Sequence, residues 1–281
     1  MDVFSLSDTD FRIYQPLFKN HVIGFEQKML FSPVQMRCYH FFMPENYLVK
    51  SEFTCIPDGC VDIAFIYNDL DYWVELIGSP TKRKTLKCYP GYSYFGVRLV
   101  PGLCLHLDDF SLAEITDSEI IFSSKDYNID SFIEKLRESN TLNQEITLFL
   151  EMFAGSITNM FINPAVHNII RNINESKGGT TVTNLGKELG YSERQVCRLL
   201  DSSINLSPKM LCRIVRVQHA IHNIINNPYL NNVQYIADLS YSDQAHFQRE
   251  FKEFTGCSPQ EFKRGYQRMP GHAMAAIQRD R

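Results

Sequence analysis

Four side chains in the first half of the sequence, His40, Cys55, Cys60 and His106, are of the types that ligate a transition metal, and Cys60 and Cys104 are thiols that a neighbouring cation would activate. Neither chemistry has a spacing behind it. The eight cysteines (Cys38, Cys55, Cys60, Cys88, Cys104, Cys197, Cys212 and Cys257) contain no CxxC pair and no regular framework, and no HxH or carboxylate partner accompanies the two histidines. Reduced, mostly buried thiols are the plainer reading. No Ser/His/Asp arrangement, phosphate loop or HExxH segment supports catalysis, so the chain reads as a non-enzyme without a cofactor.

The patterned chemistry lies in the last third of the chain. Laid on itself at a shift of 50 to 51 residues, the segment 180–266 is an imperfect repeat. Gly190-Tyr191-Ser192 aligns with Ser240-Tyr241-Ser242. Val196-x-Arg198-x-Leu200 aligns with Phe247-x-Arg249-x-Phe251, and Ser207-Pro208-x-x-Leu211 with Ser258-Pro259-x-x-Phe262. Each copy reads as helix, tight turn, helix. Ser192 with Gln195 three residues on is a capping box, as is Ser258 with Glu261, while Ser207-Pro208 is a partial one. Between the copies, Pro208 to about Asn226 has no internal breaker and stops at Asn227-Pro228, which predicts one long helix. At about 1.5 Å per residue it spans roughly 27 Å, near the roughly 34 Å that separates successive major-groove faces of B-DNA.

The segments SERQVCRLL, RVQHAIHNII and YSDQAHFQREFKEFTGCSPQEFKR resemble the AraC/XylS family of transcription regulators. The resemblance implies that the second helix of each unit enters the major groove. By position it nominates Glu193, Arg194, Cys197 and Arg198 in the first unit, and Asp243, Gln244, Ala245, Gln248 and Arg249 in the second. Arginine can pair with guanine and glutamine with adenine, whereas Cys197 and Ala245 offer only apolar contact, so base contact is assigned first to Arg194 and Gln244. Phosphate contact or structural support is assigned to Arg198 and Arg249. Val196, Leu200, Phe247 and Phe251 fall on the buried side, and His246 reads as a packing residue. The sequence departs from the family at Ser240, where glycine is usual at a turn favouring positive φ. It departs also around Ile236 and Ala237, which stand where Gly186 does in the first copy, and in the tail 269–281, which reads as disordered.

These helices need a platform, and the chain divides to supply one. Residues 1–163 carry 13 Lys+Arg against 22 Asp+Glu, and residues 164–281 carry 15 against 10, so a basic C-terminal part follows an acidic N-terminal one. The boundary is placed at Pro164, with Ala165 to Ile173 as the first helix of a DNA-binding domain over 164–268. Up to about residue 110 the sequence is a series of short strand-like runs (VQMRCYHFFM, VDIAFIY, YWVELIG, YSYFGVRLV) between turn signals. From about Ser111 to Phe161 the periodicity is helical, through Phe132, Leu136, Leu142, Ile146, Leu148, Leu150 and Phe153. The segment Cys55 to Ile63 is similar to the PDGC-type motif of a subset of the same family, and Gly96 to Gly102 fits that likeness. It implies a cupin-like β-barrel with helices, used to bind an effector or to dimerise. Pro57-Asp58-Gly59 itself reads as a turn into a buried strand, with Asp62 as a buried, hydrogen-bonded carboxylate.

The expected fold is therefore α+β: an N-terminal regulatory barrel over 1–163 and an all-α C-terminal domain with two helix-turn-helix units joined by a long helix. The expected partners are double-stranded promoter DNA, a small-molecule effector, a second copy of the chain in a homodimer, and RNA polymerase if the protein activates. No run approaches the roughly 18 apolar residues of a membrane span, and the N-terminus is acidic where a secretory signal is basic, so a cytoplasmic location is expected. The competing classes are a metal-binding cupin or DNA-repair enzyme fused to a DNA-binding domain, and a ligand-free oligomerising DNA binder.

Overall fold

The computed structural model describes residues 15, 22–30, 35–45, 52–103, 106–107, 110–111, 115–124, 126–153, 155, 163–226 and 239–267. Among these residues ten strands come first: β1 Ile23–Leu30, β2 Met36–Met43, β3 Glu52–Cys55, β4 Val61–Tyr67, β5 Tyr72–Ile77, β6 Lys84–Lys87, β7 Tyr92–Leu99, β8 His106–Leu107, β9 Phe110–Ser111 and β10 Glu119–Phe122. The helices follow: α1 Ile129–Glu138, α2 Leu142–Met152, α3 Pro164–Glu175, α4 Val182–Leu189, α5 Glu193–Ile204, α6 Pro208–Asn226, α7 Gln244–Thr255 and α8 Pro259–Gln267.

Six antiparallel strands form one sheet in the order β1-β2-β7-β4-β5-β10. Its central strands are buried on both faces. Ile63, Phe65, Phe95 and Val97 face α1 and α2, where Phe132, Phe149 and Phe153 close an aromatic core. Ala64, Ile66, Phe41 and Tyr94 face the other way, against Phe53 of the small β3–β6 sheet.

The strand-like runs are found as strands, and two expectations change. Among the described residues the sheet is open, with β1 and β10 at its edges, and not a closed barrel. Alternating burial is common to barrels and layered sheets, and closure depends on a pairing that no local pattern encodes. Glu119–Phe122, inside the stretch expected to be helical, pairs antiparallel with β5, so helices begin only at Ile129. Phe161 lies outside the described residues.

Asp62 and Arg98 are directly opposed on β4 and β7. Arg98 Nε donates to both Asp62 oxygens at 2.9 and 3.1 Å, and its Nη1 donates to Asp58 at 3.0 Å. Asp58 also accepts from the Cys60 amide at 3.0 Å and from Gln15 Nε2 at 3.0 Å, while Gln15 closes on both the N–H and the carbonyl of Ile56. The expected turn is present, with Gly59 at φ 77°. Burial pushes the Asp62 carboxyl above its ordinary range, with Arg98 pulling against it. Burial also opposes the charge on Arg98, but the two carboxylates outweigh it, and the guanidinium stays a cation. Replacing Arg98 with Met would leave two buried carboxylates without a counter-charge, a loss of about 3–5 kcal/mol in urea unfolding. Adding Asp58→Asn and Asp62→Asn should restore part of it; a triple variant as unstable as Arg98→Met would refute the charge-pair account.

Candidate DNA-reading surface

The C-terminal helices start and stop where their side chains can serve as caps. Asn163 caps α3, with Pro164 at the first helical position. Thr181 caps α4, which ends at Gly190 with φ 73°. The capping box of Ser192 and Gln195 opens α5, with the Ser192 amide donating to Gln195 Oε1 at 2.8 Å. Ser207 accepts from the Met210 amide at the start of α6, and Ser258 with Glu261 opens α8. Thus α4 and α5 form a helix-turn-helix whose turn is tight: a Cβ at Gly186 would stand 2.5 Å from the Tyr191 carbonyl oxygen. In the second copy the helix expected before the turn falls outside the described residues, as do Ile236, Ala237 and the tail 269–281; the turn and α7 are described.

Both α5 and α7 bury one face and expose the other. Val196, Leu200 and Ile204 are buried on α5, and Phe247, Phe251 and Phe254 on α7. All nine nominated residues, Glu193, Arg194, Cys197 and Arg198 on α5 and Asp243, Gln244, Ala245, Gln248 and Arg249 at α7, are solvent-exposed. Two of the acids have structural duties as well. Glu193 Oε1 accepts from Thr183 Oγ1 at 2.6 Å, tying α5 to α4. Asp243 is the N-cap of α7, and the His246 amide at 2.7 Å holds its carboxyl below the ordinary aspartate range. His246 packs its ring against Tyr241, as expected of a packing residue.

What sequence reasoning missed is the clamp behind α7. Glu250, 4% exposed, accepts from Arg213 Nε at 2.9 Å and from Arg216 Nε at 3.1 Å, both on α6. Arg213 reaches on to Glu253, and its guanidinium lies over the Phe254 ring, while that of Arg216 lies over Tyr241. Burial alone would raise the Glu250 carboxyl, but the two arginines overcome it and hold it below its ordinary value. The only sequence signal is two arginines set three residues apart among the apolar residues in the first half of the long helix.

The metal and thiol readings find no assembled site. Among the described residues no three His, Cys, Asp or Glu stand as a metal-ligand group. His40 Nδ1 lies 2.8 Å from Glu145 of α2, away from the Cys55–Cys60 loop. His106 is described only by its backbone, and Cys104 lies outside the described residues. Seven cysteines are free thiols, five of them buried, and the exposed one is Cys197 on α5. Burial drives the Cys60 thiol far above its ordinary value and Asp58 adds to that, outweighing the nearby Arg98, so the activation a thiolate sensor needs is absent there.

Residues 185–265 match the family model of a helix-turn-helix domain, and residues 35–121 match that of a domain of unknown function. The first match contains both α5 and α7, and the resemblance to the AraC/XylS family holds for this C-terminal region. No curated protein matches the chain. Among solved structures, the C-terminal domain of AraT, a response regulator from Geobacillus stearothermophilus, is 21% identical over 37% of this chain and 86% of its own, with a TM-score of 0.35. ToxT from Vibrio cholerae is 11% identical over 82% of this chain and 97% of its own, with a TM-score of 0.45. An AraC-type regulator from Chromobacterium violaceum is 16% identical over 37% and 94%, with a TM-score of 0.35.

Two measurements check the local physics. Ser240 sits at φ 55°, in the left-handed region. Ser240→Gly should raise stability by about 0.5–1 kcal/mol, the relief of left-handed strain less the added chain entropy of glycine; an unchanged or lower melting temperature would contradict this. The depressed Glu250 carboxyl makes a stability contribution that is full above the unfolded glutamate value of about 4.3 and is lost as pH falls through the lower folded value. Melting temperature should therefore drop in that acid window, and Glu250→Gln should be less stable at neutral pH with a flatter acid limb.

Proposed function

We propose that the chain is a sequence-specific transcription regulator in which α5 and α7 read double-stranded promoter DNA as the second helices of two tandem helix-turn-helix units. The observation that carries this reading is the exposure of all nine nominated residues on two helices whose opposite faces are buried. The nineteen residues of α6 give a span of about 28 Å between the units, on the scale of successive major-groove faces. Arg194 and Gln244 are the base readers, for guanine and adenine edges respectively. Arg198 and Arg249 grip phosphate. Asp243, already engaged as a cap, contributes least to readout.

The N-terminal sheet domain is the regulatory module, responding to a small-molecule effector or supporting a homodimer, with RNA polymerase as a partner if the protein activates. The reading places it in the cytoplasm. No helix among the described residues is long and apolar enough to cross a membrane.

Selection of duplexes from a randomised pool by the full-length protein tests this directly. A bipartite motif bound with strong salt dependence is expected. Arg194→Ala and Gln244→Ala should each relax preference at one base pair, worth about 1–3 kcal/mol, while Arg198→Ala and Arg249→Ala should weaken all sequences alike and lower the salt slope by about 1. Failure to select any motif would overturn the function; unchanged specificity in both Arg194→Ala and Gln244→Ala would overturn the residue assignments.

A further inference from the structure

Among the described residues, three contacts join the N-terminal domain to different parts of the helix-turn-helix array. The loop between β3 and β4 seats on α6: Gln218, 1% exposed, donates from Nε2 to the Pro57 carbonyl at 2.9 Å, and a Cβ at Gly59 would stand 3.6 Å from Leu211 Cδ1. The turn after β7 abuts α3, where a Cβ at Gly102 would stand 2.6 Å from Ile170 Cδ1. The loop between β5 and β6 carries Arg83 to the end of α7, its guanidinium lying against the capping Gly256, where a larger residue would have to displace it.

Two of these contacts, at Pro57 and at Arg83, are delivered by stiffened loops. Pro57 sits in the turn that Asp58, Arg98 and Gln15 hold from behind. The Arg83 loop is fastened by Asp117, which accepts from the Thr81 amide at 2.7 Å and from its hydroxyl at 2.6 Å. An arginine at a helix C-terminus also faces the partial negative charge of the last carbonyls. Since α3 packs on α4 and α5 of the first unit while α7 belongs to the second, a body held to α3, α6 and α7 together constrains the two units relative to each other. The docked domain covers none of the nine nominated residues, all of which stay exposed.

We infer that the N-terminal domain is a positioning brace for the two recognition helices, docked through Arg83 and through the Pro57 carbonyl that Gln218 of α6 holds, and not a cover over them. This rests on the DNA-reading assignment above. A brace fixes the distance and angle between two linked binding modules in advance, so its removal weakens binding to correctly spaced sites and relaxes the demand for that spacing.

The test uses the full-length chain, the duplex selected by the wild-type protein, and versions of it with one to three base pairs inserted between its two halves. The wild type should lose at least about tenfold in affinity on insertion, whereas Arg83→Ala should bind the uninserted duplex about five- to tenfold more weakly and lose under about threefold on insertion. Gln218→Leu should behave likewise. Arg83 is exposed, so its alanine variant should fold even if a buried Gln218 substitution does not. A wild-type spacing profile in Arg83→Ala, a uniform loss across the insertion series, or tighter binding than wild type would each overturn the brace, the last by making the contact inhibitory. Failure to select any duplex with the wild type would instead strike the DNA-reading assignment.

Discussion

A helix buried on nearly every side must find a partner for each polar side chain it carries, and that constraint on α6 organises the rest of the molecule. Its buried face includes Leu211, Ile214, Val215, Val217, Ala220 and Ile221, but Arg213, Arg216 and Gln218 lie among them. Leaving any of these without a partner would cost more than the apolar contacts around it could readily offset. Arg213 and Arg216 close on Glu250 of α7, and Gln218 closes on the backbone of Pro57. The position of the second recognition helix and the seat of the N-terminal domain both follow from satisfying one helix.

The same logic operates one layer further out. The loop that receives Gln218 is held by Asp58, which shares Arg98 with Asp62 across two adjacent strands. Gly96 lets the Tyr39 ring lie close across β7, and Tyr39 in turn bonds Asp62. The sheet thus ends in a charged knot on the side where it meets α6. Removing Arg98 would loosen the loop before it melted the sheet, because the aromatic core under α1 and α2 shares no side chain with the knot.

On the exposed side, the recognition helices depend on local chemistry and on packing in different degrees. Ser192 and Gln195 open α5 by themselves, and Gly190 provides the turn that Gly186 makes tight. For α7, the cap is Asp243, the turn residue is a serine held at positive φ, and the helix is fixed from behind by Glu250. The first unit is built mostly from its own residues, while the second leans on α6 and, through Arg83, on the N-terminal domain. In the proposed reading α5, which combines the better turn with two exposed arginines, is the stronger base reader.

Features set by short-range rules were legible in the residues alone. Breakers and caps lie within four residues of what they control, so α6 was bounded correctly at Pro208 and Asn226 and the start of α5 at Ser192. Strand-type runs between turn signals likewise marked β2, β4, β5 and β7, and the repeat marked which faces of α5 and α7 would be exposed. Sheet order, the open edges, and the strand at Glu119–Phe122 were not legible, because pairing is decided by partners distant in the chain. Arg98 finds its carboxylates 36 and 40 residues away, and Gln218 finds Pro57 across 161. No periodicity reports such distances. By itself the sequence determined which helices could face DNA; tertiary structure alone decided what holds them in place, since a buried polar group takes whichever partner the fold brings to it.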